Sequence, residues 1–134
     1  MSKKRTAVLM PPGEPIAAFA ARQIETRLRI AAEACNAVHQ DPAEEPVHRV
    51  RVAIRRLFAA LATFAPILPT AEVEQHRKHF RPILKMAGEV RNCDIALGLA
   101  REAGLDPASL AVNRLKSERG ELAVLLWRLL EPAS

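Results

Sequence analysis

Tyrosine is absent from this chain of 134 residues, and phenylalanine and tryptophan together number only five. So few rings leave little for a base-stacking platform, and the dominance of Ala, Leu and Val favours packed helices over a sheet. Cysteine is nearly absent too. Cys35 and Cys93 lie far apart and outside any Cys-x-x-Cys pair, which excludes a disulfide-rich framework and predicts buried, reduced thiols in a cytosolic protein. No apolar run approaches the length of a membrane span. The one near the start, Ala7–Met10, stops at Pro11 and is too short for the hydrophobic region of a signal peptide. The expected location is the cytoplasm. Glycine-rich phosphate loops are missing, none of the eight serines and threonines sits in a nucleophile motif, and Cys93 has no evident base beside it. The chain therefore reads as a binding protein and not an enzyme.

The most informative absence is of carboxylates. From Val47 to Ala71 there is neither Asp nor Glu, although the first eighteen of these residues carry His48, Arg49, Arg51, Arg55 and Arg56. At helical period Val50, Ile54, Leu57, Leu61 and Phe64 form an apolar face. His48, Arg51 and Arg55 follow i, i+3, i+7 along a different face, with Arg49 and Arg56 in a second row beside them. A helix that needed only solubility would mix both signs of charge. This one offers an unpaired positive face to an anion. A net charge of +5 agrees, although charge alone does not choose among nucleic acid, lipid headgroups and inorganic phosphate polymers.

Residues 1–13 read as a flexible tail ending at Pro11-Pro12-Gly13, and residues 14–134 as one domain. Helix one is expected from Pro15 to about Val38, with Ile16, Phe19, Ala20, Ile24, Leu28, Ala31, Ala32 and Cys35 as its apolar stripe. Helix two is expected from about Pro46 to Ala65. Helix three starts with Thr70 as its N-cap, bends or breaks near residues 78–82 because of Pro82, and closes at Gly104. Asp106-Pro107 should open helix four, which reaches about Glu131 and packs through Leu115, Leu122, Leu126, Leu129 and Leu130. The few aromatics, Phe58, Phe64, Phe80 and Trp127, are expected in the core. Short connections make this all-α: a single antiparallel four-helix bundle.

Helix three holds a second basic row. Lys78, Arg81 and Lys85 follow i, i+3, i+7, Asn92 continues the line, Arg77 flanks it, and Arg91 lies about 100° away. A lone row of this kind is more often a solvated face, but two rows on antiparallel neighbours can line a basic groove. Arginine grips phosphate oxygens bidentately and lysine adds point charge, a mixture suited to a phosphate polymer. His76 and His79 are spaced for a metal but lack a third ligand, so no metal site is expected. Glu72 and Glu74 fit the positive end of the helix dipole, and Asp94 is expected to pair with Arg91 three residues earlier. Whether Lys116 and Arg119 on helix four add ligands is left open by their spacing.

Two segments carry a family resemblance. Val47-His48-x-x-Arg51-Val52-x-x-Arg55-Arg56-Leu57, preceded by Asp41-Pro42, and Leu84-Lys85-x-x-Gly88-x-Val90-Arg91-Asn92-x-Asp94-Ile95 together resemble the CHAD family, the conserved histidine α-helical domain, over roughly residues 15–130. The resemblance implies a helical domain that binds inorganic polyphosphate through a basic groove, with no cofactor. The ligands it implies are His48, Arg51, Arg55 and Arg56 on helix two and Lys85 and Arg91 on helix three. Lys78 and Arg81 join them from the helical row and not from the motif.

The sequence departs from the family in three ways. Phe58 stands where many members have another arginine, Asn92 replaces an aspartate, and there is length for only one of the usual two bundles. Pairing of two chains in a homodimer is the favoured way to restore the groove. The leading expectation is thus non-enzymatic polyphosphate binding, in the cytoplasm or at polyphosphate granules. A nucleic-acid-binding helical module, or an accessory subunit of a phosphate-processing enzyme, are the alternatives.

Overall fold

A computed structural model describes residues 15–131; the expected tail over residues 1–13 lies outside them. The described residues form α1 (Ile16–Gln40), α2 (Glu44–Phe64), a 3-10 turn (Ala65–Ile67), α3 (Thr70–Glu102) and α4 (Leu110–Leu130). This is the expected all-α arrangement of four helices.

α2 is the central helix, packed between α1 and α3, with Val47, Val50, Ile54, Leu57 and Leu61 buried along the predicted face. They meet Ile24, Ala31 and Val38 of α1, Val73, Phe80, Ile83, Ala87 and Val90 of α3, and Leu126 of α4 in one core. α2 begins ahead of the expected start because Glu44 and Glu45 occupy its first turn, where carboxylates favour the dipole. Pro46 is harmless there, since the first four N–H groups of a helix have no internal partner. α1 meets α4 along a far thinner seam than any sequential pair makes.

Neighbouring helices run antiparallel, and side-chain contacts fix their register. Phe19 meets Phe64 edge-on at 6.1 Å between α1 and α2. Glu44 reaches Arg91 and Phe58 lies beneath Arg77 between α2 and α3. Arg119 meets Asp94 between α3 and α4. α2 therefore lies against the first two thirds of α3, and α4 against the last two thirds.

Several expectations need correction. α3 does not break at Pro82; it runs unbroken for 33 residues, about 50 Å at the helical rise. Pro82 cannot bond the carbonyl of Lys78, but both residues lie on the exposed side, where water can take that place. Its N-cap is Pro69 and not Thr70, which is already helical. α4 starts at Leu110 because Ser109 is the cap, accepting from the Val112 amide at 3.3 Å. Asp106 instead closes the preceding turn by accepting from the Ala108 amide at 2.9 Å. Gly104, at φ +77°, ends α3 as predicted, with the Leu105 amide donating to Ala100 O at 3.0 Å.

Apolar stripes shift at the edges of the bundle. On α1, Ile16 and Ala32 are exposed while Ala34 and Val38 are buried. On α4, Leu129 is exposed, and Trp127 is not a core residue; it stacks on His39 of α1, with centroids 4.9 Å apart. Both thiols are free, Cys93 buried and Cys35 half-buried, and burial pushes Cys35 up to about 11. Among the described residues, no helix is long and apolar enough to cross a membrane.

Candidate functional site

α2 carries its positive row on the side that faces α3. His48 and Arg51 are half-buried there and Arg55 is exposed. Arg51 lies over Gly88 of α3, so close that a Cβ on that glycine would stand 3.6 Å from its Nε and 3.9 Å from Nη2. Gly88 belongs to the same helical row as Lys78, Arg81, Lys85 and Asn92. A side chain longer than a methyl group at this point of the row would reach into the space the Arg51 guanidinium now occupies.

Among the described arginines and lysines, Arg51 is the one whose surroundings clearly disfavour its charge. Burial pulls its pKa below the ordinary guanidinium value, and the charges of Arg55 and Arg91 add to the effect. Its Nε is buried without a hydrogen-bond partner, as is Nδ1 of His48 one turn earlier. Three guanidinium groups thus approach one another at the junction of α2 and α3. Of these, Arg91 has an acidic partner: Nη1 lies 3.4 Å from Oε2 of the largely exposed Glu44. Lys78, Arg81 and Lys85 are all exposed on α3.

The helical rows do not bring every predicted residue to this place. Arg56 fronts the other flank of α2, where it lines a cleft shared with α1 and with Arg27. Asp94 does not orient Arg91. It faces α4, where Arg119 Nε donates to Oδ1 at 2.9 Å and Nη2 to Oδ2 at 3.3 Å. Nη2 also donates to the carbonyl of Pro42 at 2.7 Å, so Arg119 ties α3 and α4 to the connection ahead of α2. That connection delivers Glu44 and His48, which makes Arg119 a support of the junction and leaves its guanidinium engaged.

One residue was undervalued by sequence reasoning. Arg77 reaches across from α3 and lies over the Phe58 ring, 6.0 Å from its centroid. A guanidinium therefore stands at Phe58, the next position of the α2 row after Arg55. The only signal in the sequence was the adjacency of Arg77 to the basic row. His76 and His79 have other contacts, with Glu72 at 3.8 Å and with the Phe80 ring at 4.7 Å. Among the described residues, no group of three or more His, Cys, Asp or Glu is placed to hold a metal ion.

A family profile for the CHAD domain matches residues 12–128. The chain belongs to the CHAD family. No curated protein and no solved structure matches it. CHAD domains are helical binding domains whose partners are, in general terms, related to polyphosphate. In this CHAD domain the segments 47–57 and 84–95 meet at the Arg51–Gly88 contact.

Proposed function

We propose that this CHAD protein binds inorganic polyphosphate without catalysing its turnover, in a basic groove between α2 and α3. His48, Arg51 and Arg55 form one wall, and Lys78, Arg81, Lys85 and Arg91 the other. Arg56, on the far flank of α2, is an outlying contact for a chain long enough to cross that helix. The observation that carries this reading is Arg51, a half-buried guanidinium with an unpartnered Nε, held near two like charges. Keeping cations together costs free energy until an anion neutralises them, and a polymer of phosphates does so while releasing its own counterions. Arg77, seated on Phe58, adds a further cation to the same line.

The test is polyphosphate binding across a salt series with DNA and RNA as competitors. By analogy with single-stranded nucleic acid, log K should fall with log salt at a slope of roughly −0.7 per phosphate neutralised. Polyphosphate should win the competition, because Phe80 is buried, Phe58 lies under Arg77 and Phe64 packs on Phe19, which leaves none of these rings for base stacking. Replacing Arg51 and Arg55 together by glutamate should weaken binding and flatten the slope. Unchanged binding by that double variant would overturn the assignment, and preference for nucleic acid would replace polyphosphate as the ligand.

Pairing of two chains is part of the proposal. Ile95, Leu99, Leu105 and Leu110 are exposed where α3 and α4 extend past α2, an apolar end suited to a second copy. Only monomer in light scattering at working concentrations would remove the homodimer. Association with polyphosphate granules in the cytoplasm follows from the ligand, and a fluorescent fusion would reveal it.

A further inference from the structure

The cleft between α1 and α2 is distinct from the α2–α3 junction and differs from it in chemistry. It encloses about 670 Å³ and is lined by Phe19, Gln23 and Arg27 of α1 and by Arg56, Ala59, Ala60, Thr63 and Phe64 of α2. Among the described residues, no carboxylate lines it. The antiparallel register that sets Phe19 against Phe64 also sets Arg27 level with Arg56 two turns away. Eight residues of helix separate the two pairs, about 12 Å at the helical rise. One end of the cleft is thus aromatic, with the Arg22 guanidinium over the Phe19 ring 5.6 Å from its centroid, its floor is alanine, and its other end carries the Arg27 and Arg56 guanidinium groups with no acidic partner among the described residues.

We propose that this cleft is a second binding site, for an amphipathic organic anion. The anionic head sits between Arg27 and Arg56, and the apolar body lies over Ala59 and Ala60 toward Phe19 and Phe64. Paired guanidiniums hold a phosphate or carboxylate head, and the rings and methyl groups gain from removing an alkyl chain from water. A bare phosphate polymer would use the first and leave the second unsatisfied. The site therefore goes beyond the polyphosphate reading and does not depend on it.

Calorimetric titration with decyl phosphate, butyl phosphate, decanol and decyltrimethylammonium tests the assignment. Decyl phosphate should bind saturably below its micelle concentration, at least about tenfold more tightly than butyl phosphate, since each buried methylene is worth several-fold in affinity. Decanol and the cationic amphiphile should bind at least tenfold more weakly than decyl phosphate. Arg27→Ala should weaken decyl phosphate by about tenfold. Ala59→Trp, at an exposed position, should fill the cleft and abolish decyl phosphate binding while leaving unchanged the melting temperature and the binding of polyphosphate too short to reach Arg56. Vesicles of phosphatidylglycerol distinguish the source of the head group: co-sedimentation lost in Arg27→Ala and Ala59→Trp identifies a membrane lipid, and no co-sedimentation identifies a free amphiphile. Binding independent of chain length, equal binding of the cationic amphiphile, or decyl phosphate binding untouched in both variants overturns the proposal. Loss of polyphosphate binding in the Arg51/Arg55 double variant with decyl phosphate binding intact would show that the two sites stand or fall separately.

Discussion

Arg119 holds both carboxylate oxygens of Asp94, at 2.9 and 3.3 Å, and with the same guanidinium reaches the carbonyl of Pro42. The Asp94 side chain is 8% exposed and that of Arg119 20%, so the pair is poorly solvated and loss of either partner strands the other. Arg119→Ala should therefore cost about 1.5–3 kcal/mol in urea denaturation, in the range of hydrogen bonds to charged groups. Asp94→Asn, which keeps the shape, should cost less. A loss below a few tenths in both would mean that the bonds do not hold the α1–α2 connection.

Gly88 offers a graded test of the Arg51 contact. A methyl group there would meet Arg51 Nε at 3.6 Å, an ordinary van der Waals distance. Gly88→Ala should retain polyphosphate binding and raise stability by up to about 1 kcal/mol, the usual difference between glycine and alanine inside a helix. Gly88→Leu should displace the guanidinium and weaken polyphosphate binding by about tenfold while the helical circular dichroism spectrum is kept. Equal affinities for the two variants would separate Arg51 from the ligand.

Glu44 competes with any anion for Arg91. Removing its charge with Glu44→Gln should free Nη1 of Arg91 and strengthen polyphosphate binding about two- to fivefold at low salt, as expected for an exposed ion pair. The gain should shrink in high salt as both charges are screened. A loss of affinity at low salt would show that Glu44 positions Arg91 for the ligand instead.

Cys35 predicts a decline in stability at alkaline pH. Burial favours the neutral thiol and moves it from the ordinary 9.0 to about 11, so the folded state holds a proton that the unfolded chain has released. Its contribution is complete below pH 9 and is lost as pH rises toward 11. Cys35→Ala should flatten this part of a stability-versus-pH curve. In the wild-type protein at neutral pH, iodoacetamide should modify Cys35 far more slowly than a free thiol.

What the sequence made legible was periodic. Val50, Ile54, Leu57 and Leu61 mark the buried face of α2, and its empty stretch of carboxylates marks the flank that meets α3. Contacts across the bundle were beyond its reach. Nothing in the spacing pairs Arg119 with Asp94, so a local partner, Arg91, looked sufficient. Pro82 suggested a break because backbone propensity is read locally, whereas packing along two neighbours keeps α3 continuous. Arg55 and Arg56 differ by one position, which on a helix is about 100° and divides them between two neighbours. The two rows read as neighbours on α2 face different helices.

The unequal reach of α2 and α4 along α3 has a mechanical consequence. α3 acts as the middle piece of a lap joint: one helix is glued to its beginning, another to its end, and only around residues 83–91 do both overlap. Ile83, Ala87, Val90 and Leu126 are buried in that overlap, and Lys85, Gly88 and Arg91 stand on it. Amide hydrogen exchange should be slowest there and grade outward to both ends of α3. Of the cations proposed to meet the polymer, Lys85 and Arg91 stand on this doubly packed stretch of the longest helix, and Arg51 lies against it at Gly88, so that little ordering of these three remains to be done when the anion arrives.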